Sequence, residues 1–234
     1  MEKTKARHFI FGVAYFYYIT MGTTKNERVI VYVDGFNFYY GLRKSWEKYY
    51  WLDMVRFFEK CMRPGQELLA VKYFSARPDS IERSRRQNAF FQANLENPKF
   101  HLILGKFLKK EIVCRKCGNV IHTHEEKETD VRIATEIVAD AYQKNCDISI
   151  VVSADSDMAP AIDLVKETGQ KVFVYFPPNQ YSNHLAHASW GKAIQLERYE
   201  SRFKRCLLPD VVHLRVADFD LHIPPEWKAY QLMK

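Results

Sequence analysis

Two short stretches place acids at the mouths of what look like core strands. In "VIVYVDGFN", Val29 to Asn37, the β-branched run Val29, Ile30, Val31 and Val33 suits a strand covered on both faces, and Asp34 puts a carboxylate at its end. In "SIVVSADSD", Ser149 to Asp157, a second apolar run delivers Asp155 and Asp157. Capping is the ordinary explanation: Asp-Gly is common turn or N-cap chemistry, and Asp157 would cap a helix containing Pro160. Capping one helix with Asp157 leaves Asp155 and Asp34 unexplained. If the two strands are neighbours, three carboxylates crowd one edge of a sheet, where ligands of open parallel sheets bind.

A fourth acid joins them. In "ETDVRIATEIVADAY", positions 130, 134, 137, 138 and 141 follow helical spacing, so Ala134, Ile137, Val138 and Ala141 are expected to face the sheet. Asp130 falls in the first turn of that stripe, where an unpaired charge is costly. A dipole-complementing acid explains an exposed position better than a buried one, and Lys127 is a candidate partner. A divalent cation would neutralise the whole group at once. Four carboxylates suit Mg²⁺ or Mn²⁺, which prefer oxygen ligands and keep several waters. Such a site can activate water and steady the oxyanions of an in-line phosphodiester displacement. No His or Cys follows these strand ends, which argues against a catalytic zinc or a thiol nucleophile.

The elements that must position these acids alternate. Strands are expected at Val29–Val33, Leu68–Phe74, Phe100–Leu104, Asp147–Ala154 and Lys171–Phe176. Helices are expected at Leu52–Cys61, Ser80–Leu95, Thr129–Tyr142 and Met158–Glu167. This order implies right-handed crossovers and an α/β, Rossmann-like three-layer sandwich with a mostly parallel central sheet. The segment 106–127 breaks the alternation and reads as a hairpin insertion carrying Cys114 and Cys117.

At 234 residues, 47% hydrophobic, the chain suits one elaborated domain and excludes wholesale disorder. Its net charge of +7 favours an anionic partner. Five cysteines, an odd number, do not form a disulfide framework, and a reducing cytoplasm is expected. The apolar stretch His8–Met21 is too short for an ordinary membrane span and shows no small-residue cleavage site. It reads either as an upstream extension before a natural start at Met21, the favoured reading, or as an added strand or interfacial anchor.

The stretches "VYVDGFN", "EEKETDVRIATEIVADA" and "IVVSADSDMAPAIDLVKETGQKVFVY" together resemble the NYN domain, specifically its LabA-like group within the PIN-like nuclease superfamily. The resemblance spans residues 28–198, with 106–127 as the Cys-x-x-Cys insertion, 1–27 as an extension and 199–234 as a tail packing on the domain. It implies a metal-dependent endoribonuclease acting on RNA, preferentially single-stranded. Asp34, Asp130 and Asp155 would ligate metal, Asp157 would complete the shell or orient a metal water, and Asn37 would position a ligand or phosphate oxygen. The usual "SGDSDF" stands here as "SADSDM", so Ala154 and Met158 replace a glycine and an aromatic residue while every acid is kept. A non-catalytic RNA-binding or regulatory module on the same fold is the alternative.

"CRKCGNVIHTH" offers Cys114, Cys117, His122 and His124 as a closed tetrahedral site for structural Zn²⁺, against a metal-free hairpin or a redox pair. Positive charge gathers at Arg83, Arg85 and Arg86, and at Lys106, Lys109, Lys110, Arg115 and Lys116. The second cluster follows the third strand, at the same edge as the acids, where a phosphate backbone would run; a solvated face is the plainer reading. Aromatics in "YYGLRKSWEKYYW" are expected mostly to pack, with some left to stack unpaired bases. RNA is the expected partner and no membrane partner is expected; a homo-oligomer is left open.

Overall fold

The computed structural model describes residues 26–43, 45–76, 80–113, 116–118 and 120–232, without the side chains of 106–113 and 121–127. Residues 1–25, and with them both readings of the N-terminal stretch, lie outside the described residues. Among the described residues no helix is long and apolar enough to cross a membrane.

The centre is a six-stranded sheet of β1 (Glu27–Asp34), β2 (Gln66–Ser75), β3 (Phe100–Leu104), β6 (Ile148–Val152), β7 (Lys171–Phe176) and β8 (Ile194–Gln195). Their order is β3-β2-β1-β6-β7-β8, with every pairing parallel. β1 alternates between the two faces. Val29, Val31 and Val33 pack with α1 (Gly35–Leu42), α2 (Met54–Glu59) and α3 (Ile81–Leu95), while Ile30 and Tyr32 pack with α4 (Thr129–Tyr142), α5 (Ala159–Glu167) and α6 (Asn183–Ala188). Both faces are therefore covered, as the unbroken apolar runs require.

The strand order reverses between β1 and β6, which is where the chain of an open α/β sheet leaves a crevice beyond its carboxyl ends. Val33 pairs with Val152, so Asp34 and Ser153 emerge side by side at that point.

Between β3 and α4 the chain makes a separate antiparallel hairpin, β4 (Lys106–Val113) and β5 (Val120–Lys127), in register from Lys106↔Lys127 to Val113↔Val120. Gly105 donates its N–H to the Ser75 carbonyl at 2.8 Å, which roots the hairpin at the carboxyl edge.

The last part of the chain folds as α7 (Glu200–Arg205), the hairpin β9 (Val211–Leu214) and β10 (Phe219–His222), and α8 (Pro225–Leu232). It closes the α1–α3 side. Trp227 packs on Tyr50 and Trp51, and the Trp51 indole N–H donates to the Pro209 carbonyl at 2.8 Å. Each expected strand and helix has its counterpart; α1, α6, β8 and the elements after residue 199 come in addition.

Candidate metal centre at the strand-order switch

Asp34 ends β1 with only 5% of its surface exposed. Its Oδ1 accepts the Asn37 N–H at 3.0 Å, and its Oδ2 accepts the Ser153 hydroxyl at 2.9 Å. Ser153, wholly buried, in turn accepts the Asp155 N–H at 3.0 Å, and Asp155 Oδ1 accepts the Asp157 N–H at 3.0 Å. From the other side, the Asn37 side-chain carbonyl accepts the Ala154 N–H at 3.1 Å. The loop after β6 is thus laced to the first turn of α1. Gly35 permits this turn: a Cβ there would lie 2.5 Å from the Phe74 carbonyl oxygen and 2.5 Å from a Tyr73 ring carbon.

These bonds redistribute the expected capping. Asp34 is the N-cap of α1, and Asp155 is the N-cap of the 3-10 turn Ser156–Met158. Asp157 sits inside that turn, and the N-cap of α5 is Met158, which makes no side-chain cap bond. The ordinary N-cap reading of Asp34 therefore holds, while the second cap belongs to Asp155 and not to Asp157, the acid expected to carry it. Capping uses one oxygen of each, and among the described residues no cation pairs with either carboxylate.

Asp130 also differs from expectation. The buried residues of α4 are Thr129, Ile133, Ile137, Asp140 and Ala141, so the stripe is rotated by one residue and Asp130 stands exposed at the rim. Ala134 and Val138 are half-buried at its flank. The rotation is fixed at the far end, where Asp140 is held inward by Tyr32, Lys72 and Asn145. At the near end Glu128 adopts φ 80°, a left-handed conformation that is sterically costly outside glycine, as the hairpin turns into the helix. Lys127, the candidate partner of Asp130, has no described side chain.

The acids feel one another. Burial, with smaller contributions from Asp130 and Asp155, pushes the Asp34 carboxyl up to about 6, against the pull of its Asn37 and Ser153 bonds. Asp130 is raised by partial desolvation and then by Asp155 and Asp157. Among the described residues none of the four makes a salt bridge, and no group of three or more His, Cys, Asp or Glu stands close enough to hold a metal ion. In chemical type the donors suit a hard cation, since all are carboxylate oxygens, two already anchored and two on the exposed rim, but as spaced here they do not form a closed ligand set. One residue before Asp130, the buried Thr129 hydroxyl has no hydrogen-bond partner.

The remaining candidates scatter more. Arg83 and Arg85 are exposed on the first turns of α3, at the carboxyl edge, while Arg86 is held by Glu226 of α8 at 3.0 Å. Lys116 and Cys117 are exposed at the hairpin tip. Cys114 and Arg115 lie outside the described residues, as do the side chains of Lys106, Lys109, Lys110, His122 and His124, so the proposed zinc set is not brought into view. Ser153 is the residue that sequence reading passed over; the signal was a hydroxyl one step past the apolar strand, opposite the first acid.

Comparison with known proteins gives a family. The NYN domain model matches residues 28–196. A Pseudomonas putida protein named 6-hydroxy-3-succinoylpyridine 3-monooxygenase HspA is 28% identical, over 79% of this chain and 71% of its own. The crystal structure of a Vibrio parahaemolyticus protein of unknown function superposes with a TM-score of 0.51 at 22% identity, covering 73% of this chain and 93% of that one. The last likeness concerns the fold alone.

Proposed function

This chain belongs to the NYN domain family, and we propose that within it the protein is a divalent-metal-dependent endoribonuclease of the LabA-like kind, acting on single-stranded RNA in the cytoplasm. The family suggests a PIN-like nuclease, and its nucleases generally use divalent metals. The observation that carries the reading is the buried Asp34, fastened through Ser153 to Asp155 at the strand-order switch with no cationic partner among the described residues.

Asp34 and Asp155 would hold Mg²⁺ or Mn²⁺ from the floor, with Asp130 and Asp157 reaching in from the rim. When bound, such an ion supplies Lewis acidity toward a phosphate oxygen and a more acidic bound water. Ser153 keeps Asp34 in one orientation. The carbonyl of the Asn37 side chain is engaged by Ala154, so its amide nitrogen is the end left to donate to a phosphate oxygen. Arg83, Arg85 and Lys116 are exposed cations available to the backbone of an RNA strand. The hairpin is proposed to hold a structural Zn²⁺ through Cys114 and Cys117, beyond the closing pair Val113↔Val120, together with His122 and His124 of β5. Elemental analysis finding no zinc in protein purified without chelators would remove that part.

The test is incubation with labelled single- and double-stranded RNA and DNA in Mg²⁺, Mn²⁺ or EDTA. Single-stranded RNA should be cut only with metal. A folded protein that binds RNA without cutting it is instead a binding module, and cleavage undiminished in EDTA contradicts the mechanism. The Pseudomonas relative's name favours a second reading, hydroxylation of a pyridine ring. Turnover of 6-hydroxy-3-succinoylpyridine with a reductant and oxygen, in the absence of nuclease activity, would establish it.

A further inference from the structure

We propose that Tyr40, backed by Phe36, is a stacking platform for an unpaired base of the substrate strand, a specificity-determining element of the nuclease site on which the inference rests. Of the aromatics between Tyr39 and Trp51, Tyr49, Tyr50 and Trp51 are buried and Trp46 is half-buried against Tyr49 and Phe203, which leaves Tyr39 at 39% and Tyr40 at 47% exposure. A lone exposed ring is ordinary. Tyr40 is not alone. Its ring stacks on Phe36 at 6.5 Å and 26°, and meets Tyr39 edge-on at 5.5 Å and 72°. Tyr39 lies flat on Tyr50 at 4.9 Å and 14°, and Tyr50 packs against Trp227 at 5.5 Å. This ladder fixes the outermost ring against the core, so binding a base there loses little side-chain entropy.

The position gives the ladder its occupant. All three outer rings belong to α1, whose N-cap is Asp34. Phe36 immediately precedes Asn37, which is bonded to the acid-bearing loop, and Tyr40 lies one helical turn beyond Phe36. A strand whose phosphate reaches Asp34 and Asp155 must lay its neighbouring nucleotides over this edge. The chain carries a net charge of +7, and Arg83 and Arg85 are exposed at the same edge. Stacking on an aromatic face accepts any base but requires that base to be unpaired, so the platform would select single strands.

The experiment is fluorescence anisotropy of a short labelled single-stranded RNA and of a hairpin duplex, in EDTA at low ionic strength, with the parent protein, Tyr40→Ala and Tyr40→Phe. Tyr40→Ala should weaken single-strand binding about 10-fold and leave duplex binding within about two-fold, with Tyr40→Phe close to the parent. Equal single-strand affinity for Tyr40→Ala and the parent, or equal losses on both RNAs, overturns the proposal. So does a parent that binds no single-stranded RNA. So does a Tyr40→Ala variant that changes only the sedimentation of the protein, since the ring would then belong to a protein contact. No cleavage enters these measurements: a parent that binds through Tyr40 yet cuts nothing with Mn²⁺ keeps the platform and loses the nuclease.

Discussion

Helix α4 carries an aspartate near each end, and the two are treated in opposite ways. Asp140, 5% exposed, receives the Tyr32 hydroxyl at 2.6 Å, Lys72 Nζ at 2.6 Å and the Asn145 amide at 2.8 Å. Although burial pushes the other way, those bonds hold its carboxyl below the usual range. Lys72 is shared with Glu136 and has its own pKa raised by these two acids. At the other end Asp130 faces Asp155 and Asp157 across the rim, and Asp34 lies buried nearby, with hydroxyl and amide donors but no ammonium or guanidinium among the described residues. An acid kept for architecture comes with its counter-charge built in. An acid group left without one among the described residues is under strain that an external cation would relieve, and that contrast is what supports the proposed metal site at the carboxyl edge.

The contrast can be broken first at the structural end. Lys72→Met strands Asp140 in a buried site, and should cost about 3 kcal/mol in chemical denaturation while RNA cleavage per folded molecule is unchanged. A change of less than about 0.5 kcal/mol would mean that the Asp140 pairing is not structural. The functional end responds to pH instead. Because the folded Asp34 carboxyl sits near 6, above the usual value of 3.8, the folded state binds its proton more tightly than the unfolded chain does. In EDTA, stability should therefore be highest below the unfolded value and fall as pH rises from about 4 to about 6, by at most about 3 kcal/mol. Asp34→Asn, which keeps a good N-cap, should flatten this profile; an unchanged slope would show that another group carries it. Smaller still, Ser153→Ala removes one hydrogen bond to Asp34 and one to the Asp155 amide. It should cost about 1–2 kcal/mol and reduce cleavage without abolishing it.

The acids after β1 and β6 were legible because an apolar strand that ends in a carboxylate is unusual, and their meeting was legible because alternating elements imply a parallel sheet. The same pattern gave the hairpin its place. What the sequence concealed depends on distant partners. The orientation of α4 follows from Asp140 meeting Lys72 and Tyr32, 68 and 108 residues away, so a polar residue is buried where periodicity puts an exposed one. That brings Thr129 inward and leaves Asp130 on the rim. Ser153 was hidden for a similar reason: its role exists only because Val33 and Val152 are paired. The cap after β6 was misassigned because the first turn there is a short 3-10 turn that spacing alone does not separate from α5.

The central claim is that the carboxylates at the strand-order switch repel one another until a divalent cation binds. Its most direct test is the thermal melt of the parent and Asp155→Asn, each in EDTA and in excess Mg²⁺. Asparagine keeps the cap on the 3-10 turn about as well as aspartate, so the substitution changes mainly the charge. The variant should melt higher than the parent in EDTA, and Mg²⁺ should raise the parent more than the variant, because binding to the folded state adds stability by mass action. A variant that melts lower in EDTA, with equal Mg²⁺ shifts for both proteins, would make Asp155 a piece of scaffolding and contradict the metal centre.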